Sequence, residues 1–334
     1  MKICREPFEN IEISTTRDAF LCCAMHLKKQ DIGNISLASF EEVWNSSAAI
    51  AFREKILCGD YSLCKQFGCY NCNSMEATFV QKTDSMLPKM EEYPKFVKLM
   101  HDNECNVNCI ICRDSIIRRT PEELKELNSQ IDSVFLPILK NAEIVVLNSS
   151  GDPFASRHNL ELIKKIIRKY PKIKFDIHSN GIIATEKLLK KMGLVHRLNK
   201  IVISVHAATK ETYDKIVLHG NYDQLMKNMR YYSYLSASGK LLVLDICFVV
   251  NSLNYHEMPQ FLEYAKSIGA NAFFWEYRVQ GFKEHKNYDE LAIHLPQHKD
   301  HHKLLEVLKN SCFDGLGYEP LHPQLRQLKM QAIG

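Results

Sequence analysis

The chain has 334 residues, 46% of them apolar, which is enough for one large core or for one core and a small satellite domain. Its 43 basic and 39 acidic side chains leave a formal net charge of +4, and no concentrated basic face indicates a nucleic-acid partner. No apolar run approaches the roughly 20 residues of a membrane helix, and the first residues lack the pattern of a signal peptide. We therefore expect a cytoplasmic protein with no membrane or specific nucleic-acid partner.

The first 75 residues are unusually rich in cysteine. Seven of the twelve cysteines of the chain lie between Cys4 and Cys72. Without an export signal, clustered thiols in a reducing compartment indicate metal ligands more than disulfides. Residues 1–75 therefore predict a small metal-binding module.

One helix is predicted within this module, and a linker is predicted after it. Ser39 and Glu42 have the spacing of a capping box, which predicts the start of an amphipathic helix that continues to Ile56. Residues 76–96 are polar and contain two prolines, so they predict a linker.

Strand-like and helix-like patterns then alternate. One strand is expected just before residue 105, and further strand-like runs occupy 143–148, 173–178, 200–205, 241–250 and 271–277. Helical patterns occupy 121–140, 158–169, 185–192, 209–217, 222–236 and 254–268. Strands rich in Val and Ile, each followed by a helix, predict a parallel sheet covered by helices. About six such units predict an α/β fold over residues 97–280, a partial (β/α)6 TIM-like barrel with chemistry at the carboxyl ends of its strands.

Residues 281–334 form a C-terminal extension in which the periodicity weakens. It carries four histidines, and a metal site is one interpretation of them. On a polar tail, however, such histidines are more often solvated surface. We expect that outcome for the whole set, which is His294, His298, His301 and His302.

The first strand leads into a loop with three cysteines. Cys105, Cys109 and Cys112 have the spacing C-x3-C-x2-C, which supplies three thiolates to a metal centre that wants four ligands. An iron–sulfur cube held by three cysteines leaves one iron open, whereas a structural site is normally closed. The missing ligand therefore predicts a reactive cluster. A zinc site completed by His101 is the alternative.

Small and polar residues follow or end the next strands. Residues 148–153 and 178–181 come directly after the second and third strands, and the fourth strand carries Ser204. The fifth and sixth strands carry Asp245 and Glu276, which either face the site or are paired structural charges.

These segments resemble the motifs of the radical S-adenosylmethionine enzymes, in the same order. The cysteine loop matches the family's C-x3-C-x2-C loop, residues 151–153 resemble its glycine-acid-proline stretch, and residues 179–181 resemble its small-Asn-Gly turn. Ser204 stands where the family usually has a ribose-contacting serine. The resemblance implies that S-adenosylmethionine contacts Ile111, Ser150, Gly151, Asp152, Ser179, Asn180 and Ser204.

The chain also departs from the family pattern. Ile111 replaces a residue that is often aromatic, and Ser150 replaces a glycine. His206 stands where many relatives carry aspartate, and Val217 where a basic residue is common. These departures concern cofactor contacts and leave the three cysteines intact.

The resemblance also implies a mechanism. Cys105, Cys109 and Cys112 would hold a [4Fe-4S] cluster whose open iron chelates the amino and carboxylate groups of S-adenosylmethionine. A reductant such as flavodoxin or ferredoxin would supply one electron, and the sulfonium bond would break. The resulting 5′-deoxyadenosyl radical would abstract hydrogen from a substrate while the protein excludes water.

The N-terminal cysteines resemble the auxiliary iron–sulfur module called SPASM or twitch. This module usually follows the barrel, and here it precedes it. The resemblance implies one auxiliary [4Fe-4S] cluster, and a structural zinc is the rival interpretation. Its expected ligands are Cys4, Cys22, Cys64 and Cys69, with Cys72 close behind and Cys23 able to replace Cys22.

Modules of this kind accompany peptide modification in the family, so the expected substrate is a peptide altered at an unactivated carbon, as in a maturase-type oxidoreductase. A carbohydrate or small-metabolite dehydrogenase or epimerase is the alternative. A zinc-stabilised binding protein without redox activity is an alternative of another class.

Overall fold

The computed structural model describes residues 1–22, 30–66, 69, 78–83, 86–147, 151–278, 287–316 and 318–333. The chain divides into two compact units. Unit 1 comprises Met1–Asn103 and Arg119–Asp176, and unit 2 comprises Glu104–Arg118 and Ile177–Gly334.

Unit 1 combines short strands with seven helices among its described residues. Its strands are β1 (Lys2–Cys4), β2 (Asn10–Ile13), β3 (Ala19–Phe20), β4 (Phe79–Gln81), β5 (Phe96–Leu99) and β7 (Ile144–Leu147), together with the start of β8 (Lys174–Ser179). Its helices are α1 (Glu6–Glu9), α2 (Phe40–Trp44), α3 (Ser47–Leu57), α4 (Ser62–Gln66), α5 (Pro121–Ser129), α6 (Leu136–Ile138) and α7 (Arg157–Lys169). A single π-helical turn, Ile131–Phe135, joins α5 to α6.

Unit 2 continues the alternation of strands and helices. Its strands are β6 (Asn108–Cys109), β9 (Leu198–Ser204), β10 (Val217–Leu218), β11 (Val243–Val250) and β12 (Asn271–Glu276). Its helices are α8 (Glu186–Lys191), α9 (Lys210–Ile216), α10 (Tyr222–Ala237), α11 (Met258–Ser267), α12 (Tyr288–Leu291), α13 (His301–Leu308) and α14 (Pro323–Ile333), with short 3-10 turns at Tyr255–Glu257 and Ser311–Phe313.

The larger strands of each unit pair in a mainly parallel way. Within unit 1, β2 pairs parallel with β5 and β5 with β7, while β3 runs antiparallel at the edge. Within unit 2, β11 pairs parallel with both β9 and β12. Strand β8 has residues in both units. The expected α/β class is confirmed. No closed barrel forms among the described strands, and the partial barrel stays a prediction.

Fully buried aliphatic and aromatic side chains explain why these segments are strands. Alternate residues of β5 and β7 have almost no exposed surface, as the two-residue period of a strand requires. In unit 2 the buried side chains of the strands include Ile201, Ile203, Ile246, Phe248 and Phe274. The strands predicted at 143–148, 173–178, 200–205, 241–250 and 271–277 are all confirmed to within two residues.

The N-terminal helix is two helices, so the expectation of one continuous helix is wrong. The predicted capping box is present: the Ser39 side chain accepts from the Glu42 backbone N–H, and the Glu42 carboxylate accepts from the Ser39 N–H. Helix α2 then ends at Asn45, whose side-chain Nδ2 donates to the Met90 carbonyl at 2.8 Å. A second N-cap, Ser46, starts α3. Polar side chains that bond the backbone in non-helical geometry end one helix and begin the next.

Part of the predicted linker 76–96 is ordered as a strand. β4 pairs antiparallel with β1, with Cys4 opposite Phe79. The division at residues 75, 96 and 280 stays a prediction, although this pairing joins residues from either side of position 75.

The C-terminal extension is folded, which corrects the expected surface role of two histidines. His294 and His298 are buried, and Phe274 of β12 bridges to Leu321 just before α14. The extension buries its own apolar residues, among them Leu304, Leu308 and Leu325. These apolar residues lie at helical spacing between polar residues. The overall polar composition of the segment therefore did not indicate a buried face. None of the described helices is both long and apolar enough to cross a membrane.

Candidate active site

The cysteine loop, residues 104–118, is built from backbone hydrogen bonds within unit 2. Strand β6 of the loop pairs antiparallel with β10, which places Cys109 opposite Val217. The Ile110 N–H donates to the Ile216 carbonyl at 3.0 Å. The second and third cysteines are separated by a tight turn, since the Cys112 N–H donates to the Cys109 carbonyl at 2.9 Å. The loop therefore has a defined backbone at the second and third cysteines.

The first cysteine is held at the other end of the loop. The Cys105 N–H donates to the Ile117 carbonyl at 3.3 Å, and Arg118 Nη1 donates to the Cys105 carbonyl at 3.1 Å. Cys105 is buried, Cys109 half-buried and Cys112 exposed. This gradient lets the loop hold a group that is covered on one side and open on the other.

The three thiols lie within electrostatic reach of one another. Burial raises the pKa of the Cys109 thiol, and the neighbouring Cys112 and Cys105 raise it further. Burial acts to lower the pKa of Arg113, but its charge interaction and hydrogen bond with Cys112 raise it overall. In the metal-free chain Cys109 is therefore a neutral thiol, and a bound metal would displace its proton.

The donor set of the loop is three cysteine thiols. Among residues that the structure describes, no group of three or more His, Cys, Asp or Glu side chains is placed to hold one metal ion. In an iron–sulfur cube each cysteine binds a different iron, so its thiolates stand farther apart than the ligands of a zinc ion. Three cysteines on one loop are a donor set that fits a cube with one open iron.

The zinc alternative required His101 as the fourth ligand, and the structure gives that side chain other partners. In unit 1 its Nε2 lies 2.9 Å from Nε2 of His158, and both rings are fully buried. His158 Nδ1 donates to Asn128 Oδ1 at 2.9 Å, so its Nε2 accepts from His101. Burial lowers the pKa of His101, and that of His158 to about 4. His101 therefore belongs to a neutral buried pair.

The Ser-Asn-Gly turn of unit 2 lies at the cysteine loop, as expected for a site residue. Asn180 is buried, and its Nδ2 donates to Asn106 Oδ1 at 2.9 Å and lies 3.9 Å from Cys105 Sγ. Gly181 has a φ of +75°, and a Cβ there would stand 2.7 Å from Leu225. The turn therefore requires glycine at position 181. Within the turn, Ser179 Oγ accepts a hydrogen bond from the Gly181 N–H at 3.0 Å.

The end of β9 carries two predicted or unusual residues. Ser204 is half-buried and pairs in register with Cys247 of β11. His206 has a φ of +64°, which is uncommon outside glycine, and its Nδ1 accepts from the Val249 N–H at 3.2 Å. Burial lowers the pKa of His206 to about 4. The ring is thus neutral, with its proton on Nε2.

Residues 151–153 lie in unit 1. Asp152 is buried, and its Oδ1 accepts from the Phe154 N–H at 3.0 Å. Gly151 is half-buried, and Ser150 lies outside the described residues. The carboxylate therefore closes a short Asx turn, a geometry that the sequence predicted only as a small-residue turn.

The two strand carboxylates are paired structural charges. Asp245 pairs with Lys200 and accepts from Asn271 Nδ2 at 2.9 Å. Glu276 is buried against Arg278 and lies 2.9 Å from His322 Nδ1. This favours the structural interpretation of both residues over a catalytic one.

A buried ion pair flanks the cysteine loop in sequence and was missed from sequence. Asp102 is fully buried and accepts from Arg119 Nε at 2.9 Å and from the Ser156 hydroxyl. Asp102 lies two positions before the first residue of the loop, and Arg119 directly follows its last residue. An acid and an arginine on either side of a metal-binding loop were the available signal.

Cys4 and Cys64, two of the N-terminal cysteines, approach each other from distant positions in the sequence. Cys4 is buried in β1, and its N–H donates to the Tyr61 hydroxyl at 3.1 Å. Burial raises the pKa of Cys4 to about 11, and nearby Cys64 contributes to that rise. The Cys69 N–H donates to the Cys64 carbonyl at 2.9 Å. Cys22 is half-buried, and Cys23 and Cys72 lie outside the described residues.

The remaining histidines of the C-terminal extension bond to the backbone. His298 Nε2 lies 3.0 Å from the Glu290 carbonyl, and His301 Nδ1 lies 3.0 Å from the Ile293 carbonyl. His302 is exposed. These partners, and the lack of a metal-binding group among the described residues, give no support to a metal site here.

Two sequence relatives are probable GTP 3′,8-cyclases. The chain is 27% identical over 175 residues to the probable GTP 3′,8-cyclase of Methanocaldococcus jannaschii, which covers 50% of this chain and 54% of the relative. It is 25% identical over 198 residues to the probable GTP 3′,8-cyclase of Saccharolobus islandicus, covering 57% and 61%. The matches thus span about half to three-fifths of these relatives. Among solved structures, Streptococcus suis SuiB bound to S-adenosylmethionine aligns over 80% of this chain and 61% of its own, with 14% identity and a TM-score of 0.42.

Two family models match the chain in succession. The iron–sulfur cluster-binding domain SPASM matches residues 4–73, and the Radical SAM superfamily model matches residues 99–265, half of the chain. Members of this superfamily are enzymes that use a [4Fe-4S] cluster and S-adenosylmethionine, and the SPASM domain binds auxiliary iron–sulfur clusters. These are the cofactors of this chain. The protein belongs to the radical S-adenosylmethionine superfamily and carries its SPASM domain before the radical SAM domain.

Proposed function

We propose that Cys105, Cys109 and Cys112 hold the reactive [4Fe-4S] cluster of an enzyme that modifies a peptide at an unactivated carbon. One observation carries the assignment: the three thiols stand on one ordered loop, with the Asn180 amide and the Arg113 guanidinium beside them. Polar groups that face the thiolates stabilise their negative charge.

Each side chain of the site has a proposed task. When bound, the cluster and S-adenosylmethionine supply a 5′-deoxyadenosyl radical that takes hydrogen from the substrate. Asn180 orients the loop through Asn106 and places an amide N–H near Cys105 Sγ. The proposed contacts with S-adenosylmethionine are Ile111, Ser150, Gly151, Asp152, Ser179, Asn180 and Ser204.

His206 distinguishes this chain from its relatives at the end of β9. Its neutral ring offers an N–H donor at Nε2, because Nδ1 already accepts from the Val249 backbone. We assign to it a neutral hydrogen-bonding task in place of the charge that an aspartate would bring.

The N-terminal module is proposed to hold one auxiliary cluster. Its ligands are drawn from Cys4, Cys22, Cys64, Cys69 and Cys72, and the approach of Cys64 to Cys4 supports the first and third of these. The module would occupy residues 1–75, before a linker at 76–96, a core at 97–280 and an extension at 281–334. In the cytoplasm, flavodoxin or ferredoxin would serve as the reductant.

The proposed peptide substrate follows from the SPASM match at residues 4–73, since such modules accompany peptide maturation in the superfamily. A small phosphorylated metabolite is the second candidate, because the sequence relatives are probable GTP 3′,8-cyclases. The maturase-type oxidoreductase and the small-molecule enzyme share the radical step and differ in what donates hydrogen.

Anaerobic reconstitution followed by mass spectrometry tests this proposal. The full chain is reduced with dithionite, supplied with S-adenosylmethionine, and assayed with two probes: GTP, and synthetic peptides translated from short reading frames beside its own gene. We expect bound iron and sulfide, 5′-deoxyadenosine, and a peptide whose mass changes by a whole number of hydrogens. If GTP is converted and no peptide is modified, the second candidate, a small phosphorylated metabolite, would replace the peptide as the proposed substrate. Zinc without iron, and no 5′-deoxyadenosine, would overturn the enzyme assignment.

A further inference from the structure

We infer that the Tyr213 hydroxyl donates a hydrogen bond to a sulfur of the loop cluster beside Cys109, and thereby raises the reduction potential of that cluster. The inference rests on the proposed function, since it requires the loop cysteines to hold the cluster. It assigns a task to a helix residue outside the loop itself.

The backbone of unit 2 brings Tyr213 to the second cysteine. Tyr213 lies in α9, which runs directly into β10, and β10 pairs antiparallel with the β6 strand of the loop. Val217 stands opposite Cys109, and the Ile216 carbonyl accepts from the Ile110 N–H. The last turn of α9 is therefore fixed next to the cysteine.

The Tyr213 hydroxyl is buried without a partner. The residue has no exposed surface, and within the described part of the chain no group hydrogen-bonds to its hydroxyl. Leaving a buried hydroxyl unpaired costs roughly 1–3 kcal/mol, so native proteins seldom do so unless a ligand or ion completes the bond. The described part of the chain thus offers this hydroxyl no acceptor. A bound group would have to supply one.

Close packing prevents the hydroxyl from turning away to find another acceptor. A Cβ at Gly220 would stand 2.7 Å from Tyr213 Cε1 and 2.9 Å from its hydroxyl, so the ring lies directly on the glycine. The Tyr222 ring packs against it with centroids 5.3 Å apart. The absence of a side chain at position 220 is what makes room for this tyrosine.

Electrostatics agree with this placement and keep the hydroxyl protonated. Burial raises the pKa of Tyr213, and a negative charge on Cys109 raises it further. A neutral hydroxyl can donate a hydrogen bond to a sulfur that carries negative charge. Cluster thiolates and sulfides are such acceptors.

The direction of the effect follows from charge. Reduction adds one negative charge to the cluster, and a donor to its sulfur stabilises the reduced form more than the oxidised form. Tyr213 should therefore make the cluster easier to reduce. Its loss should make the potential more negative without removing any iron ligand.

A redox titration followed by electron paramagnetic resonance tests the inference. The full chain carries Cys64→Ser and Cys69→Ser so that only the loop cluster contributes, and Tyr213→Phe is compared with Tyr222→Phe. Tyr222 is the matched control, because its ring adjoins Tyr213 but its hydroxyl donates to the Ala208 carbonyl at 3.2 Å. We expect a more negative potential for Tyr213→Phe and an unchanged one for Tyr222→Phe.

An equal potential in Tyr213→Phe and its parent would overturn the inference alone. A parent without any cluster would overturn the proposed function, and this inference with it. Should Tyr213→Phe fail to fold, 3-fluorotyrosine incorporated at position 213 keeps the ring and makes the hydroxyl a stronger donor. The potential should then rise, and an unchanged potential would overturn the inference.

Discussion

The cysteine loop and the N-terminal module both present clustered thiols, but the chain assembles them in different ways. In the loop, three cysteines fall within eight residues, and backbone hydrogen bonds of that short segment and of β10 set their positions. In the module, Cys4 and Cys64 are sixty positions apart and approach only because β1, β4 and α4 fold together. Local spacing defines the first site, whereas tertiary structure defines the second.

Because of this difference, the two sites should tolerate different mutations. A change far from the loop leaves its spacing intact, so the loop should bind its cluster whenever unit 2 folds. The module depends on the β1–β4 pair and on the buried Arg53, whose guanidinium donates to the Pro7 and Trp44 carbonyls at 2.8 and 2.9 Å. We expect the two sites to be separable by mutation.

The largest effect is expected from Cys105→Ala, Cys109→Ala and Cys112→Ala together. The triple variant should lose about four irons per chain and all formation of 5′-deoxyadenosine, because no reactive cluster remains. The spectroscopic signal of the N-terminal cluster should persist. Iron analysis and chromatography of the reaction products measure both effects, and cleavage that survives the triple change would place the reactive cluster elsewhere.

The reciprocal change is Cys64→Ala with Cys69→Ala. It should abolish modification of the substrate but spare cleavage of S-adenosylmethionine without substrate, since the loop is locally specified. Parallel assays of 5′-deoxyadenosine and of modified product check this separation. Loss of both activities in a folded variant would show that the loop depends on the module.

A third change concerns the ion pair that flanks the loop. Arg119→Met leaves the fully buried Asp102 carboxylate without its guanidinium, which should lower the free energy of unfolding by about 3 kcal/mol. Urea denaturation of the metal-depleted chain measures it. Lys165→Met is the control, because its partner Asp132 is largely exposed and the pair should contribute little. Equal losses in the two variants would mean that the buried pair contributes no more to the free energy of unfolding than the exposed pair does.

The smallest expected effect is a pH dependence of stability. Burial lowers the pKa of His158 to about 4, so as the pH falls below about 6.5 the unfolded chain takes up a proton before the folded chain does. The free energy of unfolding should therefore decrease by about 1 kcal/mol between pH 7 and 5.5 on account of this residue. His158→Gln should flatten that slope, and the exposed His302→Gln should not. Identical slopes in parent and His158→Gln would contradict this account.

Much of the fold could be predicted from the sequence, because the strands are runs rich in Val and Ile. The helices between them begin at residues whose side chains cap the helix. Thr120, Ser156, Thr185, Thr209 and Asn221 all cap the helices that follow them. The break at Asn45 escaped prediction, since it depends on a tertiary hydrogen bond to Met90. The folded C-terminal extension escaped for a similar reason, as its apolar residues are sparse and pack against β12.

In the candidate site, too, local features could be predicted from the sequence and tertiary ones could not. The loop cysteines and the turn at Asn180 were predicted from spacing and order along the chain. The Asp102–Arg119 pair and the unpaired Tyr213 hydroxyl were not, because neither residue type nor spacing distinguishes them from ordinary polar positions. Asp245 and Glu276 resembled site residues by strand position, and only their ion pairs favour a structural role.

The central claim is that a loop with three cysteines leaves one iron open for S-adenosylmethionine. Pulsed electron–nuclear double resonance on the reduced Cys64→Ala, Cys69→Ala chain, with S-adenosylmethionine labelled with nitrogen-15 at its amino group, measures this directly. The account predicts a nitrogen-15 coupling to the cluster, because the amino group would be an iron ligand. A reduced cluster that binds the labelled cofactor without any nitrogen-15 coupling would contradict it.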